Sequence, residues 1–515
     1  MMNIYLRISH FVLLILAVVS IESCTRDIAL ELNTSTNTDT DNNSSDDQDT
    51  DEASDPNLWV SAYMEKYYLW NDEYATIKSG LNFSAEPETF FYSALSSMQT
   101  NTEDGKTYNG TRYYYSTLTA TLDTSSKALT TANDYGIDML YYTYSPDETA
   151  LYFIVASVAN DSPADLAGIK RGQFISMCNG SEMKDDATIG YYYNMLMGYT
   201  DSSETVTLTM GEYQSVNNGG YTLGNVEDIV LAPAAYERNP IVHTQSYKSP
   251  DNTKNVAYMV YSEFDSNADD KLIEAFENFK NEGVNEMIID LRYNGGGDIY
   301  SSALIASAVA GSKLEGGVYC EMQFNESRTE SGDEGFFYIG THPSISKYQY
   351  IVDALSVSLD LDRLYVIATN FTASASELII NGLRGLDFDV FVVGDTTEGK
   401  NVGMEVVLSS YSSYSSYDFG DYEYELAPIT FYALNAEGSC DYSSGIGPDF
   451  PCSESAILAD WGDNSGDPHL YATLYHIYNG AWPTDRTSKS TADCPQIITN
   501  KSIQPHSAGL KVARY

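Results

Sequence analysis

Positive charge is scarce in this sequence of 515 residues: 27 lysines and arginines face 73 aspartates and glutamates, a formal net charge of −46. A chain so acidic repels phosphate backbones, which argues against a nucleic-acid partner and reads first as a solvated, soluble surface. Histidine is scarcer still, with His10, His243, His342, His469, His476 and His506 the whole supply, and none sits in the motif of a histidine-based triad. No two cysteines are spaced C-x-x-C, which argues against a cysteine-rich zinc site. The glycine-rich turn "IIDLRYNGGGD" lacks both the Gly-Lys-Ser/Thr ending and the G-x-G-x-x-G order, so nucleotide binding has no support. There is no internal repeat.

What is present starts at the N-terminus. Arg7 flanks an apolar run from Phe11 to Ile21 that is too short to cross about 30 Å of hydrocarbon and fits the core of a secretory signal. The run ends at Ile21-Glu22-Ser23-Cys24, which resembles a bacterial lipobox. We therefore expect residues 1–23 to be a lipoprotein signal peptide and Cys24 to carry the lipid. That predicts a cell-envelope lipoprotein, anchored at the outer membrane or cell surface, with the periplasm also open. A plain signal peptide with a chance cysteine is the alternative. Residues 24–56 are expected to form an acidic disordered tether, because the stretch from Asn33 to Pro56 holds almost no apolar side chain to offset the entropy of ordering. Export permits disulfides, and Cys440 with Cys452, which bracket one short loop, is the expected pair.

Leu58, Trp59, Tyr63, Tyr67 and Trp70 recur near helical spacing, and "ETFFYSALSSM" reads as a second helix. These predict a small helical domain over 57–119 whose aromatics are core. From 234 to 482 apolar strands alternate with helices. "NVAYMVYSEF" is a strand, "ADDKLIEAFENFKNEG" an amphipathic helix with Gly283 after it, and "NEMIIDLRYNGGGD" a strand running into glycines. "RLYVIATN", "SASELIINGLRG" and "FDVFVVGD" give strand, helix, strand, an α/β pattern with crossover helices. Residues 483–515 read as a polar C-terminal tail. Tyrosine is abundant, at 43 residues, and the run "YSSYSSYDFGDYEYELAPITFY" reads as surface strand.

Between these parts, Ser162-Pro163-Ala164, Ala167-Gly168-Ile169 and Arg171-Gly172-Gln173-Phe174-Ile175 resemble the signature of PDZ domains in secreted proteases, expected here over 120–212. The residue types suit it. Pro163 opens a helix where its missing N–H costs nothing, and Gly168 closes it with positive φ. The resemblance implies that a peptide C-terminus docks beside a strand, its carboxylate on backbone N–H groups of the Tyr135-Gly136-Ile137-Asp138 loop. Gly136 and Ile137 are thus the expected peptide-binding residues, and Asp138 stands where that family more often has glycine.

"DLRYNGGG" from Asp290, "TASASE" from Thr372 and "TTEGKNVG" from Thr396 together resemble the tail-specific, or C-terminal processing, serine peptidase family, in its Bacteroidetes lipoprotein form. The resemblance implies a Ser-Lys dyad: Ser374 as nucleophile and, twenty-six residues on, Lys400 as base. It implies oxyanion donors at the N–H of Ala375 and of Gly296, a further catalytic role for Glu377, and no cofactor or metal. Elementary chemistry agrees. A serine at a helix N-terminus faces unpaired N–H groups and the positive end of the dipole, which favour an oxyanion. Serine needs a base, and a lysine in apolar surroundings is available in its neutral form. Ser376 is the rival nucleophile, and a simple helix cap is the plainer role for Ser374. The family often carries glutamine where this chain has Met404; Asn401 and Glu405 are the candidates to orient the lysine instead, and Glu398 is expected to point away from it.

The expectation is a multidomain α+β protein with a helical N-terminal domain, a PDZ domain and an α/β peptidase core with a mixed sheet. It would be a serine endopeptidase acting on cell-envelope or extracellular polypeptides, the C-terminus of the substrate included. A non-catalytic peptide- or ligand-binding lipoprotein on the same scaffold is the alternative.

Overall fold

The computed structural model describes residues 55–484, apart from residue 109 and the segments 123–130, 146–148, 199–202, 216–220, 342–348, 410–418, 420–421 and 455–456, together with the strand Leu510–Ala513. The expected signal peptide, Cys24, most of the acidic tether and most of the tail lie outside the described residues.

The centre is a six-stranded sheet in the order Ile241–Lys248, Asn255–Tyr261, Glu286–Asp290, Arg363–Ala368, Asp389–Gly394 and Phe450–Pro451. All neighbours after the first pair run parallel. A parallel sheet must be covered on both faces, and the sequence supplies apolar side chains to each by alternation. Ala257, Met259 and Tyr261 face the helices Asp269–Asn281, Ile299–Ala310 and Ala375–Arg384. Val256, Tyr258 and Val260 face Leu470, Leu474 and Ile477 of the helix Pro468–Asn479. The expected helix before Gly283 spans Asp269–Asn281, and Gly283 takes φ 73° just past its end.

A second unit is an antiparallel sheet in the order Tyr221–Leu231, Val206–Ser215, Phe174–Cys178, Leu151–Val158, Ile137–Tyr144, with the helix Asp186–Leu196 over it. Pro163 opens the short helix Pro163–Leu166 under a Ser162 cap, and Ile169, Phe174 and Ile175 are buried. The sheet continues to Leu231, beyond the expected limit at 212.

The two expected N-terminal helices form as Pro56–Tyr67 and Pro87–Ser97, the first capped by Asp55 with Pro56 at its first turn and ending before Trp70, and a further helix, Asn71–Ile77, lies between them. Their aromatics do not close a core alone. Trp59, Tyr63, Tyr67, Phe90 and Phe91 pack with Val402, Met404, Val407, Leu426 and Ile429 of a second mixed sheet. That sheet runs Phe336–Tyr338, Val318–Phe324, Ile429–Leu434, Val402–Leu408, Tyr422–Ala427, Thr117–Leu122, with Leu510–Ala513 beside Val402–Leu408. The strand Thr117–Leu122 crosses the expected boundary at 119, because the helical part shares its core with chain 300 residues away.

Candidate active site

The strand Arg363–Ala368 and the helix Ala375–Arg384 are joined by a corner that hydrogen bonds stitch to the glycine turn after Asp290. Thr372 Oγ1 donates to the Leu291 carbonyl (2.7 Å), Thr369 Oγ1 to the Arg292 carbonyl, and the Ala373 N–H to the Asn294 carbonyl (3.1 Å). The corner is so sharp that Ser374 takes φ 61° and ψ −113°, a conformation an L-residue adopts only when its surroundings enforce it. Ser376 is separated from Ser374 by its partners: its Oγ donates to the Asn294 carbonyl at 3.0 Å and belongs to the stitching.

Glu377 lies one helical turn on and binds both distant loops. Its Oε2 accepts from the N–H groups of Ser374 (2.8 Å) and Lys400 (2.8 Å). Its Oε1 accepts from Thr397 Oγ1 (2.5 Å) and the Gly399 N–H (2.6 Å). Burial pushes this carboxyl up to about 7, against the pull of its four donors. Glu377 therefore ties the Ser374 corner to the 396–401 loop. Gly399 is required where it stands: at φ 90° an added Cβ would lie 2.5 Å from the Ser443 carbonyl oxygen and from the Gly445 nitrogen.

The Lys400 side chain is held by residues that sequence reasoning missed. Its Nζ lies 4.6 Å from the centre of the Tyr115 ring. Tyr115 and Tyr108 donate their hydroxyls to the Glu398 carboxylate, so Glu398 and Lys400 share Tyr115 as a neighbour. Lys106 Nζ donates to the carbonyls of Glu398 (2.6 Å) and Ser443 (2.8 Å). Asp104 is buried below, accepting from Tyr68, Ser116 and the Tyr115 N–H; burial raises its pKa, and the charge of Lys400 pulls the other way. Scattered tyrosines and one acidic loop carry no motif, so only a search for partners of the 396–401 loop would have found them.

Several expectations need correction. The candidates to orient Lys400 have other partners: Glu405 pairs with Arg328 (2.6 Å), and the Asn401 amide donates to Glu103 and the Cys440 carbonyl. Met404 is buried against the N-terminal helices and has no polar role. The Gly296 N–H donates to Asn294 Oδ1 at 2.8 Å, so the oxyanion donor expected there is already engaged. The Gly136 N–H donates to Asp134 Oδ1 at 2.8 Å, so that part of the expected carboxylate-binding loop is also filled. Cys440 and Cys452 are both free thiols, in place of the expected pair; the Cys440 carbonyl accepts from Asn401 and the Cys452 carbonyl is bonded to His469. The described histidines bond elsewhere, His243 to Gln245, His469 to the Cys452 carbonyl and His476 to Tyr365.

A cleft of about 210 Å³ opens beside this site, with Ile137, Asp138, Arg238, Gly295, Gly296 and Ala373 in its wall. Ala373 and Glu398, chain neighbours of the dyad, line it, whereas Ser374 and Lys400 do not, each being 1 % exposed. The Ala375 N–H heads its helix, where no intrahelical carbonyl can reach it.

The model of peptidase family S41 matches residues 255–425, and that of the peptidase S41 N-terminal domain matches residues 55–117. Residues 255–425 thus carry a peptidase S41 domain and residues 55–117 a peptidase S41 N-terminal domain. Two chloroplastic carboxyl-terminal-processing peptidases of Arabidopsis thaliana, numbers 1 and 3, are each 24 % identical to this chain, over 248 and 251 residues. Each match covers 48 % of this chain, and 44 % and 43 % of the relatives, so the chain spans about half the length of the curated relatives it matches. A crystal structure from Bacteroides fragilis NCTC 9343, provisionally described as an S41 protease, superposes with a TM-score of 0.61 at 22 % identity, covering 82 % of this chain and 97 % of that one. At that identity the likeness establishes the S41 α+β fold, N-terminal region and mixed sheets included.

Proposed function

We propose that this chain is a serine endopeptidase that hydrolyses polypeptides of the cell envelope or the extracellular space. Ser374 is the nucleophile and Lys400 the base. The observation that carries the reading is the Glu377 carboxylate, which ties the N–H groups of Ser374, Gly399 and Lys400 to one side chain and so sets serine and lysine in register. The order of events follows from the groups present. Neutral Lys400 takes the proton of Ser374 Oγ as the oxygen attacks the scissile carbonyl, and returns it to the departing amine. The Ala375 N–H receives the oxyanion. Gly295, on the cleft wall next to the engaged Gly296, supplies the second donor. Water then cleaves the acyl-enzyme with Lys400 again as base.

The antiparallel unit is read as a PDZ domain that assists substrate recognition, on the strength of its sheet order, its Pro163 helix and the buried Ile169, Phe174 and Ile175. The domain limits of the sequence reading, with the boundary near 119 set inside a strand and the PDZ limit moved out to 231, remain part of this reading. So do lipidation at Cys24 and a place at the outer membrane or cell surface. One observation favours a second reading, a non-catalytic binding lipoprotein: Ser374 and Lys400 are both closed off from solvent.

Casein digestion by the purified chain decides between the two. Ser374→Ala and Lys400→Ala are each expected to lose at least 10³-fold in rate, the scale of removing a nucleophile or its base, with an unchanged melting temperature for Ser374→Ala. Wild-type protein that leaves casein intact would establish the binding reading.

A further inference from the structure

Charge in the cleft is one-sided. Asp138, Glu263, Asp290 and Glu398 line it, against the two guanidinium groups of Arg238 and Arg292. Both of those cations are committed to internal carboxylates, Arg238 to Asp134 (2.9 Å) and Asp138 (3.1 Å), and Arg292 to Asp290 (2.6 Å), Glu454 (2.7 Å) and Asp467 (2.7 Å). Glu398 is differently placed. It lines the cleft while only 6 % exposed, and its N–H donates at 2.9 Å to the carbonyl of Thr372, two residues before Ser374. Tyr108 and Tyr115 both donate to one oxygen of its carboxylate, Oε1. Those hydroxyls fix the group without cancelling its charge, and Oε2 accepts from no donor among the described residues. Lys106 Nζ is bonded to the carbonyls of Glu398 (2.6 Å) and Ser443 (2.8 Å), and Lys400 must be neutral for the proposed chemistry. A carboxylate with one oxygen unfilled, in a largely desolvated wall whose guanidinium groups are already paired, calls for a cation brought by the ligand.

We propose that Glu398 Oε2 receives a lysine or arginine side chain of the substrate polypeptide, so that cleavage falls beside a basic residue. The proposal rests on the peptidase reading of the same cleft. Through its bond to Thr372, Glu398 is tied to the corner that carries Ser374, so a side chain bound to it belongs to a residue close to the scissile bond. The ammonium or guanidinium forms a charge-assisted bond with Oε2, and the apolar wall of Phe371 and Ala373 takes the methylene stem. Glu398 is then a specificity-determining residue, with no part in the proton transfer. An acidic side chain at the same place meets a fixed like charge and is rejected.

The test is a set of internally quenched peptides in which lysine is moved one position at a time through a neutral sequence, each with a partner carrying norleucine at that position. With the full wild-type chain, kcat/KM is expected to be about tenfold higher for lysine than for norleucine at one position, the worth of one charge-assisted hydrogen bond. Glutamate there is expected to fall below norleucine. Glu398→Gln keeps an accepting oxygen for the two tyrosines and should bring the lysine-to-norleucine ratio close to one. Because the ratio cancels any loss common to both peptides, a folding or positioning defect leaves it unmoved. A wild type with no lysine preference at any position overturns the proposal, as does a preference that survives Glu398→Gln. Fluorescence anisotropy with the Ser374→Ala chain and the same peptides runs in parallel. Peptides left uncleaved by the wild type, but bound with a lysine preference that Glu398→Gln removes, sink the peptidase reading alone. Cleavage without preference sinks the role of Glu398 alone, and neither cleavage nor preference sinks both.

Discussion

Glu377 has two oxygens and four donors, so every lone pair of the carboxylate is in use. Glutamine at 377 would offer one accepting oxygen and turn an NH₂ toward two N–H or O–H groups, orphaning two buried donors at about 1–3 kcal/mol each. Glu377→Gln is expected to lower kcat about 100-fold with KM little changed, read with a fluorogenic peptide. The pH dependence has two parts of opposite sign. Burial raises this carboxyl from 4.5 to about 7 in the folded chain. Its contribution to stability is thus fully present below 4.5 and is lost as pH rises through about 7, on the order of 3 kcal/mol. If the proposed dyad operates, activity needs the four-acceptor carboxylate and so rises as pH climbs through about 7, and it rises again wherever Lys400 loses its proton. Thermal melts of wild type and Glu377→Gln from pH 4 to 9 should converge as pH increases, while the wild-type rate increases. A flat rate profile would remove both Glu377 and Lys400 from the mechanism.

At the scale of elements, the 396–401 loop is held from outside the central sheet. The segment after the third N-terminal helix brings Lys106, Tyr108 and Tyr115 onto it, and the helices themselves pack on Val402, Met404 and Val407 just beyond. The N-terminal region is therefore part of the site, although its sequence reads as a separate helical domain. Two substitutions separate its contributions. Tyr115→Phe keeps the ring under Lys400 and loses only the bond to Glu398, and is expected to stay within about threefold of the wild-type rate. Tyr115→Ala removes the ring as well and should cost about tenfold, because Lys400 Nζ loses the wall 4.6 Å away that positions it. Equal losses in both, measured by steady-state kinetics, would mean that the hydroxyl matters and the ring does not.

Over the whole molecule, one carboxylate joins the antiparallel unit to the glycine turn. Glu454 accepts from Arg171 (2.7 Å), Arg292 (2.7 Å), Tyr293 and Tyr141 (3.0 Å), and the Trp461 ring lies 3.9 Å from the guanidinium carbon of Arg171 and 5.2 Å from that of Arg292. Burial raises the Glu454 pKa, but Arg292 and then Arg171 outweigh it and bring it down to about 2. Its stabilising effect is accordingly present above 4.5 and is lost as pH falls through about 2. Glu454→Gln leaves two buried guanidinium groups short of a partner. The expected cost is about 3–5 kcal/mol in denaturant unfolding, together with faster tryptic cleavage in the antiparallel unit. A loss below about 1 kcal/mol would show that the two units do not depend on this cluster.

Local chemistry was enough to place much of this protein. Alternating and helical spacing predict the central strands and their crossover helices, Pro163 and Gly168 bound a short helix, and Ser374 stands at a helix start. These features depend on neighbours within a few residues, where periodicity and backbone preference act. Tertiary structure decided the rest. The positive φ of Ser374 follows from stitching to residues 80 positions away. The Asn294 carbonyl captures the Ser376 hydroxyl, and the Asn294 side chain engages the Gly296 N–H. Lys400 rests on Tyr115, and Arg292 meets Arg171 through Glu454, across separations for which sequence spacing carries no signal. Residues far apart in sequence meet only when the sheets and helices have packed, and in this chain the partners that tune each candidate catalytic group are of that kind.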